Sequence, residues 1–150
     1  MSDFNTENVT NICGMFKDCG NLKSIDLTNF NTKKVTDMSH MFEGCYFLEL
    51  INLLKFDTTN VKDMSCMFRG CVCLESIDLS NFNMQNVSNA YYMFRDCISL
   101  KSINFGNFNI KNIEWIDGMF VGDSNELQED IKCRFPNINL RAFEESGWFE

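Results

Sequence analysis

Residues 30–55 read FNTKKVTDMSHMFEGCYFLELINLLK, and this 26-residue pattern recurs along the chain. Its Phe, Val, Met-Phe and Cys positions return at a constant interval. A fixed period of this length is typical of stacked arrays, because a unit too small to bury its own apolar face buries it against its neighbours. The units start near Phe4, Phe30, Phe56, Phe82 and Phe108.

The second half of each unit predicts a short β-strand. After Leu48, the alternation of Ile51 and Leu53 turns both side chains to the same side, as in a strand with one buried face. Units stacked in register would pair these strands in parallel. We therefore expect a parallel β-sheet on one face of the stack.

The first half of each unit predicts a short helical turn on the other face. Val35, Met38, Phe42 and Cys45 are three or four residues apart, as on one side of a short α-helix or 3₁₀ segment. Asp37 suits the N-cap of such a segment. The sequence thus predicts an α/β solenoid, a stack of about five 26-residue units that is right-handed by the crossover rule.

The two halves of the unit together resemble a known family. The pattern L-x-x-I-x-L-x-x-F, followed by V-x-D-M-S-x-M-F-x-x-C, looks like the BspA-like leucine-rich repeat, the 26-residue repeat of bacterial surface proteins. The likeness covers roughly residues 4–120. It implies a leucine-rich-repeat-like solenoid used for adhesion or protein binding, mostly in secreted or surface proteins of bacteria and some protists.

We expect one domain with two parts. Residues 1–120 form the repeat solenoid, and residues 121–150 form a degenerate repeat and a C-terminal cap. In the fifth unit Asp123 replaces the cysteine of the repeat, and its strand is expected at Ile131 and Cys133. The N-terminal side has no comparable cap, so its apolar edge could dock onto a partner or a second copy.

Charge and hydropathy narrow the possible partners. The net charge is −8 and the pI is near 4.6, which disfavours nucleic acid and anionic membrane surfaces as partners. No stretch approaches 18 apolar residues, so membrane insertion is not expected. The first residues lack a signal-peptide pattern. The protein is then cytoplasmic if this N-terminus is native, and secreted or surface-bound if the chain is a fragment.

The eight cysteines do not suggest a metal or disulfide framework. Four of them occupy one repeat position with apolar neighbours, which predicts a buried ladder of reduced thiols. Paired Cys-x-x-Cys spacing is absent, so we expect no metal and no cofactor. The ladder consists of Cys19, Cys45, Cys71 and Cys97.

Two sets of outward strand positions are candidate contacts on the concave sheet face. Asp26, Asn52, Asp78 and Asn104 form a column that could hold calcium or satisfy itself by hydrogen bonds, and we expect the latter. Leu50 and Leu54 interrupt an otherwise small, polar surface. Two leucines on one face could anchor a protein interface, although the C-terminal tail or chance composition could also explain them.

The helical-turn face carries a second candidate patch and a possible thiol site. Tyr91 and Tyr92, together with Trp115, predict a further contact surface. His40 and Cys66 lie one period apart, and a thiol beside an imidazole is the minimum for nucleophilic catalysis. No orienting acid is evident next to the histidine, so we expect a solvated face and no enzyme.

The sequence therefore predicts a non-catalytic repeat module for protein–protein interaction or adhesion that presents its concave sheet face. The alternative is a structural subunit, a spacer or cement, that docks through its uncapped N-terminal edge into a larger assembly. The partner is expected to be another protein or further copies of this chain, the latter associating end to end at the N-terminal edge.

Overall fold

The chain folds into a stack of units in which residues one period apart lie side by side. The structure, a computed structural model, describes residues 5–106, 109–110 and 113–145. The predicted unit starts at Phe4 and Phe108 lie outside these residues. A ladder of parallel bridges crosses five units and confirms a solenoid-like stack. It joins Asn11, Asp37, Asp63, Asn89 and Trp115.

The strands are short and form two separate pairs. Strand β1 pairs in parallel with β2, and β3 pairs in parallel with β4. Among the described residues, the prediction of one sheet along the whole face is therefore wrong. The strands are β1 (Ser24–Ile25), β2 (Leu50–Ile51), β3 (Ser76–Asp78) and β4 (Ser102–Asn104).

A side chain at the end of each strand explains the short pairing. Asp78 Oδ1 accepts the N–H of Ser80 at 2.8 Å, which closes a turn directly after β3. Asn104 Oδ1 accepts the N–H of Gly106 at 3.2 Å after β4. Such turns divert the backbone from the extended conformation. The strands therefore stop after two or three residues.

The predicted helical turns are also not helices. Residues 12–19 and their equivalents form a segment that we name the turn ribbon. Within it, the N–H of Lys17 donates to the carbonyl of Gly14 at 3.0 Å. The N–H of Phe16 instead donates to the carbonyl of Met41 in the next unit at 2.9 Å. Successive turns, like a helix, return every third or fourth residue to one side, so spacing alone does not distinguish them.

Backbone conformation excludes an α-helix in the turn ribbon. Two positions in each ribbon, four residues apart, have positive φ, whereas α-helical residues have φ near −60°. Glycine occupies only some of these positions. The two columns are Gly14, His40, Cys66, Tyr92 and Gly118, and Asp18, Gly44, Gly70, Asp96 and Gly122.

A stack of aromatic rings runs through the core. Adjacent rings have centroid separations of 5.5 to 5.8 Å and interplanar angles of 26° or less, so they pack face to face with an offset. The rings contributed by the middle units are fully buried. The members are Phe16, Phe42, Phe68, Phe94, Phe120 and Phe143.

The cysteine ladder is present, with one exception. Cys45, Cys71 and Cys97 are buried, and each thiol donates to the carbonyl of a phenylalanine in the preceding unit at 3.1 to 3.3 Å. Cys19 is exposed, so the prediction of a buried thiol there is wrong. The reason is its place in the first unit, which no other described unit covers on the outer side. All eight cysteines are free thiols.

The C-terminal segment covers the last unit. Helix α1 (Asn125–Arg134) begins at Ser124, whose side chain accepts the N–H of Leu127, and packs Leu127 and Ile131 inward. The strand predicted at Ile131 and Cys133 is therefore wrong, because both residues belong to this helix. A 3₁₀ helix (Leu140–Phe143) follows. The division into parts at residue 120 stays a prediction.

The 3₁₀ helix takes the place of a further unit. The carbonyls of Arg141 and Ala142 accept the N–H groups of Gly118 and Phe120 at 2.7 and 2.8 Å. In the other ribbons the equivalent amides donate to the next unit. Two amides of the last ribbon are therefore satisfied within the chain. None of the described helices has the length and apolar character needed to cross a membrane.

Candidate functional site

The first candidate surface is an apolar group on the second unit, which we name the strand-face patch. It consists of Tyr46, Phe47, Leu50 and Leu54, exposed by 53%, 50%, 71% and 55%. Leu50 lies in β2 beside Ser24 of β1. Large apolar side chains at this exposure are common singly, but four within nine residues are a concentration.

The fold does not require leucine or phenylalanine at these positions. Three of the four columns are filled in the other units by small or polar residues. The equivalents of Leu50 are all serine, for example, and the chain path is the same. The apolar side chains are thus specific to the second unit. The equivalents of Phe47 are Asn21, Cys73 and Ser99. Those of Leu50 are Ser24, Ser76 and Ser102, and those of Leu54 are Thr28, Ser80 and Gly106.

The predicted acid and amide column is engaged in local turns. Asp26 Oδ1 accepts the N–H and the hydroxyl of Thr28 at 2.9 and 2.7 Å, and Asn52 Oδ1 accepts the N–H of Leu54 at 3.1 Å. The hydrogen bonds from Thr28 lower the pKa of Asp26, and those from Ser80 lower the pKa of Asp78. This geometry fits the hydrogen-bonding alternative for the column. Its carboxylates remain exposed at the edge of the patch.

The second candidate surface is a groove along the turn ribbons, which we name the turn-face groove. Its volume is about 990 Å³. It brings together Tyr91, Tyr92 and Trp115, as the sequence predicts, but no residue of the strand-face patch lines it. Three of the four arginines of the chain also line it. Its lining residues are His40, Ser65, Cys66, Arg69, Asn89, Tyr91, Tyr92, Arg95, Trp115, Asp117, Arg141 and Glu145.

Aromatic and guanidinium groups pack closely in this groove. The rings of Tyr91 and Tyr92 are stacked with centroids 3.8 Å apart. The guanidinium carbons of Arg95 and Arg69 lie 4.4 and 5.7 Å from the centroid of the Tyr92 ring, within cation–π distance. Tyr92 is 9% exposed, whereas Trp115 is 55% exposed. Tyr92 therefore supports the groove, and Trp115 offers the accessible ring.

The positive charges of the groove are balanced by acids. Arg95 donates to both carboxylate oxygens of Glu145 at 2.8 and 3.0 Å. Arg141 pairs with Asp117 at 3.3 Å, and Arg69 pairs with Glu43 at 3.3 Å. The three arginines of the groove are therefore each paired with a carboxylate.

Glu43 is the acid that sequence reasoning did not place beside the histidine. Its Oε2 lies 2.6 Å from Nδ1 of His40 and 2.7 Å from Nζ of Lys17. Burial by itself would raise the pKa of Glu43, but the hydrogen bonds from Lys17 and His40 hold it below its usual value. The ligand atoms of His40, Glu43 and Cys66 all lie within 4.8 Å of one another. The expectation of no acid near His40 is therefore wrong.

Sequence reasoning missed the charged column because it treated each unit by its apolar positions. Lys17, Glu43, Arg69 and Arg95 share one repeat position, three residues after the first left-handed position of the ribbon. Reading down that position shows an acid flanked by cations. The signal was present, but the ribbon conformation that brings this position beside His40 and Cys66 was not predicted.

The fold defines the class of protein, a repeat protein built from stacked 26-residue units. The sequence matches the family described as "Mycoplasma protein of unknown function, DUF285" over residues 1–51 and 47–144. These ranges include most of the chain, and the chain belongs to this family. The description of the family does not identify the BspA-like group.

One solved structure and the curated proteins complete the comparison. The chain is similar to a leucine-rich repeat protein of T. pallidum, TpLRR, with 16% sequence identity and a TM-score of 0.42. The alignment covers 89% of this chain and 80% of that protein. No curated protein matches the sequence.

Proposed function

We propose that the protein is a non-catalytic module that binds another protein through its strand-face patch. The observation that carries this proposal is the concentration of Tyr46, Phe47, Leu50 and Leu54 in one unit, each at least half exposed. Other units use small or polar residues at three of these four columns, so the apolar side chains are not needed for folding.

The energetics of the patch suit a small binding centre. Fully burying one leucine side chain stabilises a complex by roughly 1.5 to 3 kcal/mol, so Leu50 and Leu54 could supply a substantial part of a micromolar affinity. Asp26, Asn52 and Asp78 add polar groups along the same face. Apolar anchors within a polar rim are the usual composition of a protein interface.

The state of the only cysteine next to the histidine supports a non-catalytic role. Cys66 is 4% exposed, and burial together with the charge of Glu43 raises the pKa of its thiol to about 11. The thiol is therefore protonated at neutral pH, and the thiolate is the nucleophile in thiol catalysis. A buried, protonated thiol favours binding functions over hydrolysis or transfer.

We also infer the finer classification from the sequence pattern. The BspA-like repeat, its right-handed coil and a role in adhesion are consistent with the recurring M-F-x-x-C element and with the parallel bridges between units. The strands of this chain are shorter than such a repeat leads one to expect. Adhesion would require the strand-face patch to meet a partner outside the cell.

The test compares baits that differ only in the patch. Wild-type protein and a Leu50→Ser, Leu54→Ser double variant are used for affinity capture, and captured proteins are then purified and titrated by calorimetry. Serine is the natural residue in the equivalent columns, so the variant should fold with unchanged urea stability. Loss of binding of at least about tenfold is expected, since each leucine contributes more than 1 kcal/mol when buried.

The matched control is Ile98→Ser, which removes another exposed apolar side chain, 57% accessible, from the fourth unit. It should leave the affinity unchanged. A purified partner that binds the double variant as tightly as the wild type would contradict the strand-face proposal. Equal losses from both variants would indicate non-specific apolar adhesion.

A second candidate function is that of a structural subunit that docks at the first unit. Val9, Met15, Phe16 and Leu22 are half-buried there, whereas their equivalents in the second unit are fully buried. In the second unit, four carbonyls of the turn ribbon accept N–H groups of the first unit. Among the described residues, no backbone amide donates to the equivalent carbonyls of the first unit. Those carbonyls belong to Asn11, Cys13, Met15 and Lys17.

The edge of the first unit fits a partner that offers amides. Two amides of the last unit, those of Gly118 and Phe120, are already taken by Arg141 and Ala142, so head-to-tail stacking of copies would have to displace the 3₁₀ helix. Light scattering over a concentration series tests this candidate. Dimers or polymers that Phe16→Asp abolishes would favour the structural subunit, and a monomer at all concentrations would count against association of copies.

A further inference from the structure

Three side chains of different donor type lie close together, and two of them, His40 and Cys66, line the turn-face groove. His40 offers an imidazole nitrogen, Glu43 a carboxylate oxygen and Cys66 a sulfur, all within 4.8 Å of one another. Nitrogen, oxygen and sulfur are the ligand atoms that zinc takes in proteins. We propose that His40, Glu43 and Cys66 bind a divalent transition-metal ion of the zinc type.

The backbone at two of these residues has a conformation that favours glycine. His40 and Cys66 have φ of 58° and 55°, in the left-handed region that Tyr92 also adopts in the fourth unit, and the first and fifth units have Gly14 and Gly118 at this position. Glycine adopts this conformation at no steric cost, whereas a β-carbon makes it unfavourable. Strained residues kept where glycine would suffice are characteristic of functional sites.

The backbones that carry the three ligands are fixed to neighbouring groups. The N–H of His40 donates to Ser65 at 2.8 Å, that of Glu43 to His40 at 3.1 Å, and that of Cys66 to Tyr91 at 2.8 Å. Bonds of roughly 2.0 to 2.3 Å place the ligands of a tetrahedral ion roughly 3.5 Å apart. The hydrogen-bonded atoms of His40 and Glu43, 2.6 Å apart, therefore have to separate by about 1 Å, while the sulfur of Cys66, within 4.8 Å of them, has to approach. Rotation of His40 and Glu43 can provide these movements.

A metal ion at this site would replace two ion pairs of Glu43. Lys17 and Arg69 both contact its carboxylate, at 2.7 and 3.3 Å, so the acid is neutralised when no metal is bound. Their side chains are 44% and 41% exposed and can move into water. The Glu43 side chain itself is only 13% exposed, so a divalent ion has to displace two partly buried ion pairs.

Donor chemistry and access select the type of ion. Magnesium and calcium prefer oxygen ligands, whereas two of the three ligands here are nitrogen and sulfur. His40 and Cys66 line the turn-face groove, so water or a partner's ligand can reach a fourth position from the groove. The sequence predicted no metal because its ligands lie on two units and include only one cysteine.

The test is a cobalt titration of the purified, reduced full chain. Cobalt(II) substitutes for zinc and gives a thiolate-to-cobalt charge-transfer band when a cysteine is bound. One equivalent of cobalt should saturate the band, and one equivalent of zinc should remove it. A spectrum without this band, together with no heat of zinc binding by calorimetry, would overturn the proposal.

Two variants keep the fold while they remove ligands. His40→Gly and Cys66→Gly introduce the residue that the first and fifth units have at this position, so both should still fold cooperatively, with Cys66→Gly unfolding at a lower urea concentration because it removes a buried side chain. Loss of a group that only hydrogen-bonds a metal ligand weakens metal binding by roughly 10- to 100-fold. Each variant removes a ligand itself and should weaken metal binding by more than that. Cys133→Ser, at an exposed cysteine, is the control and should leave binding unchanged. A band that persists in Cys66→Gly would refute the site.

Discussion

Oδ1 of Asp123 accepts the backbone N–H of Cys97 at 3.0 Å, and Asp123 itself occupies the ladder position that Cys97 has one unit earlier. Its Oδ2 is buried and has no hydrogen-bond partner among the described residues. Burial raises the pKa of Asp123 to about 8, with a smaller contribution from the charge of Asp96. The carboxyl is therefore mainly protonated at neutral pH.

The protein should become less stable as the pH rises from about 5 to about 8. The unfolded carboxyl of Asp123 titrates near 3.8 and the folded one near 8, so the folded state binds more protons in this range. Its contribution is fully present below pH 3.8 and lost as the pH passes 8. The slope is at most about 1.4 kcal/mol per pH unit, and urea unfolding across the range measures it.

The control for this pH dependence is Asp123→Asn, which should flatten the curve between those limits. Carboxyls whose pKa is lowered, such as those of Asp26, Glu43 and Asp78, lose their contribution only as the pH falls below their ordinary values. They do not interfere above pH 5. If the slope were unchanged in Asp123→Asn, the buried carboxyl would not be its source.

Removing a ring from the middle of the aromatic stack should be costly. Phe68 is fully buried, with ring neighbours at 5.7 and 5.6 Å, and Phe68→Ala should lower the free energy of unfolding by about 3 to 5 kcal/mol. Phe16→Ala, in the half-buried first unit, is the comparison and should cost clearly less. Urea unfolding measures both. Equal losses would mean that the stack does not gain from coverage on both sides.

The repeat and its inward positions could be predicted from the sequence because they depend on periodicity alone. Leu27, Leu53 and Leu79 are buried as the strand pattern requires. The local conformation could not be predicted in the same way, because successive turns and helices share a spacing of three or four. Left-handed backbone at His40 and Cys66 is indicated only by Gly14 and Gly118 at the same repeat position, because neither residue is itself glycine.

The two candidate sites also differ in how far the sequence could predict them. Leu50 and Leu54 could be identified because they interrupt a polar column, and their exposure follows from strand alternation. The contact of Glu43 with His40 could not be predicted, because it depends on how the turn ribbon orients Glu43, three residues after His40. Sequence reasoning therefore finds surfaces set by periodicity and misses contacts set by turns.

The rate of thiol labelling should distinguish the exposed cysteines from the buried ones. Cys13, Cys19 and Cys133 are exposed and should react rapidly with an alkylating reagent at neutral pH. Cys66 should react slowly although it neighbours His40, because it is buried. Mass spectrometry of the digested protein at increasing times gives the individual rates. Fast, selective labelling of Cys66 would revive the thiol-enzyme hypothesis.

The hydroxyl of Thr58 should contribute more to the free energy of unfolding than its methyl group does. Thr58 is 1% exposed, donates to the carbonyl of Asn83 at 3.2 Å and accepts the N–H of Asn83 at 2.7 Å, so it joins two units. Thr58→Val keeps the shape but leaves that buried amide without its acceptor, and should cost about 1 to 3 kcal/mol. Thr58→Ser keeps both hydrogen bonds and should cost less than Thr58→Val in urea unfolding. If valine were tolerated better than serine, packing and not the hydroxyl would join these units, as at Met84, which fills the same column in the next unit.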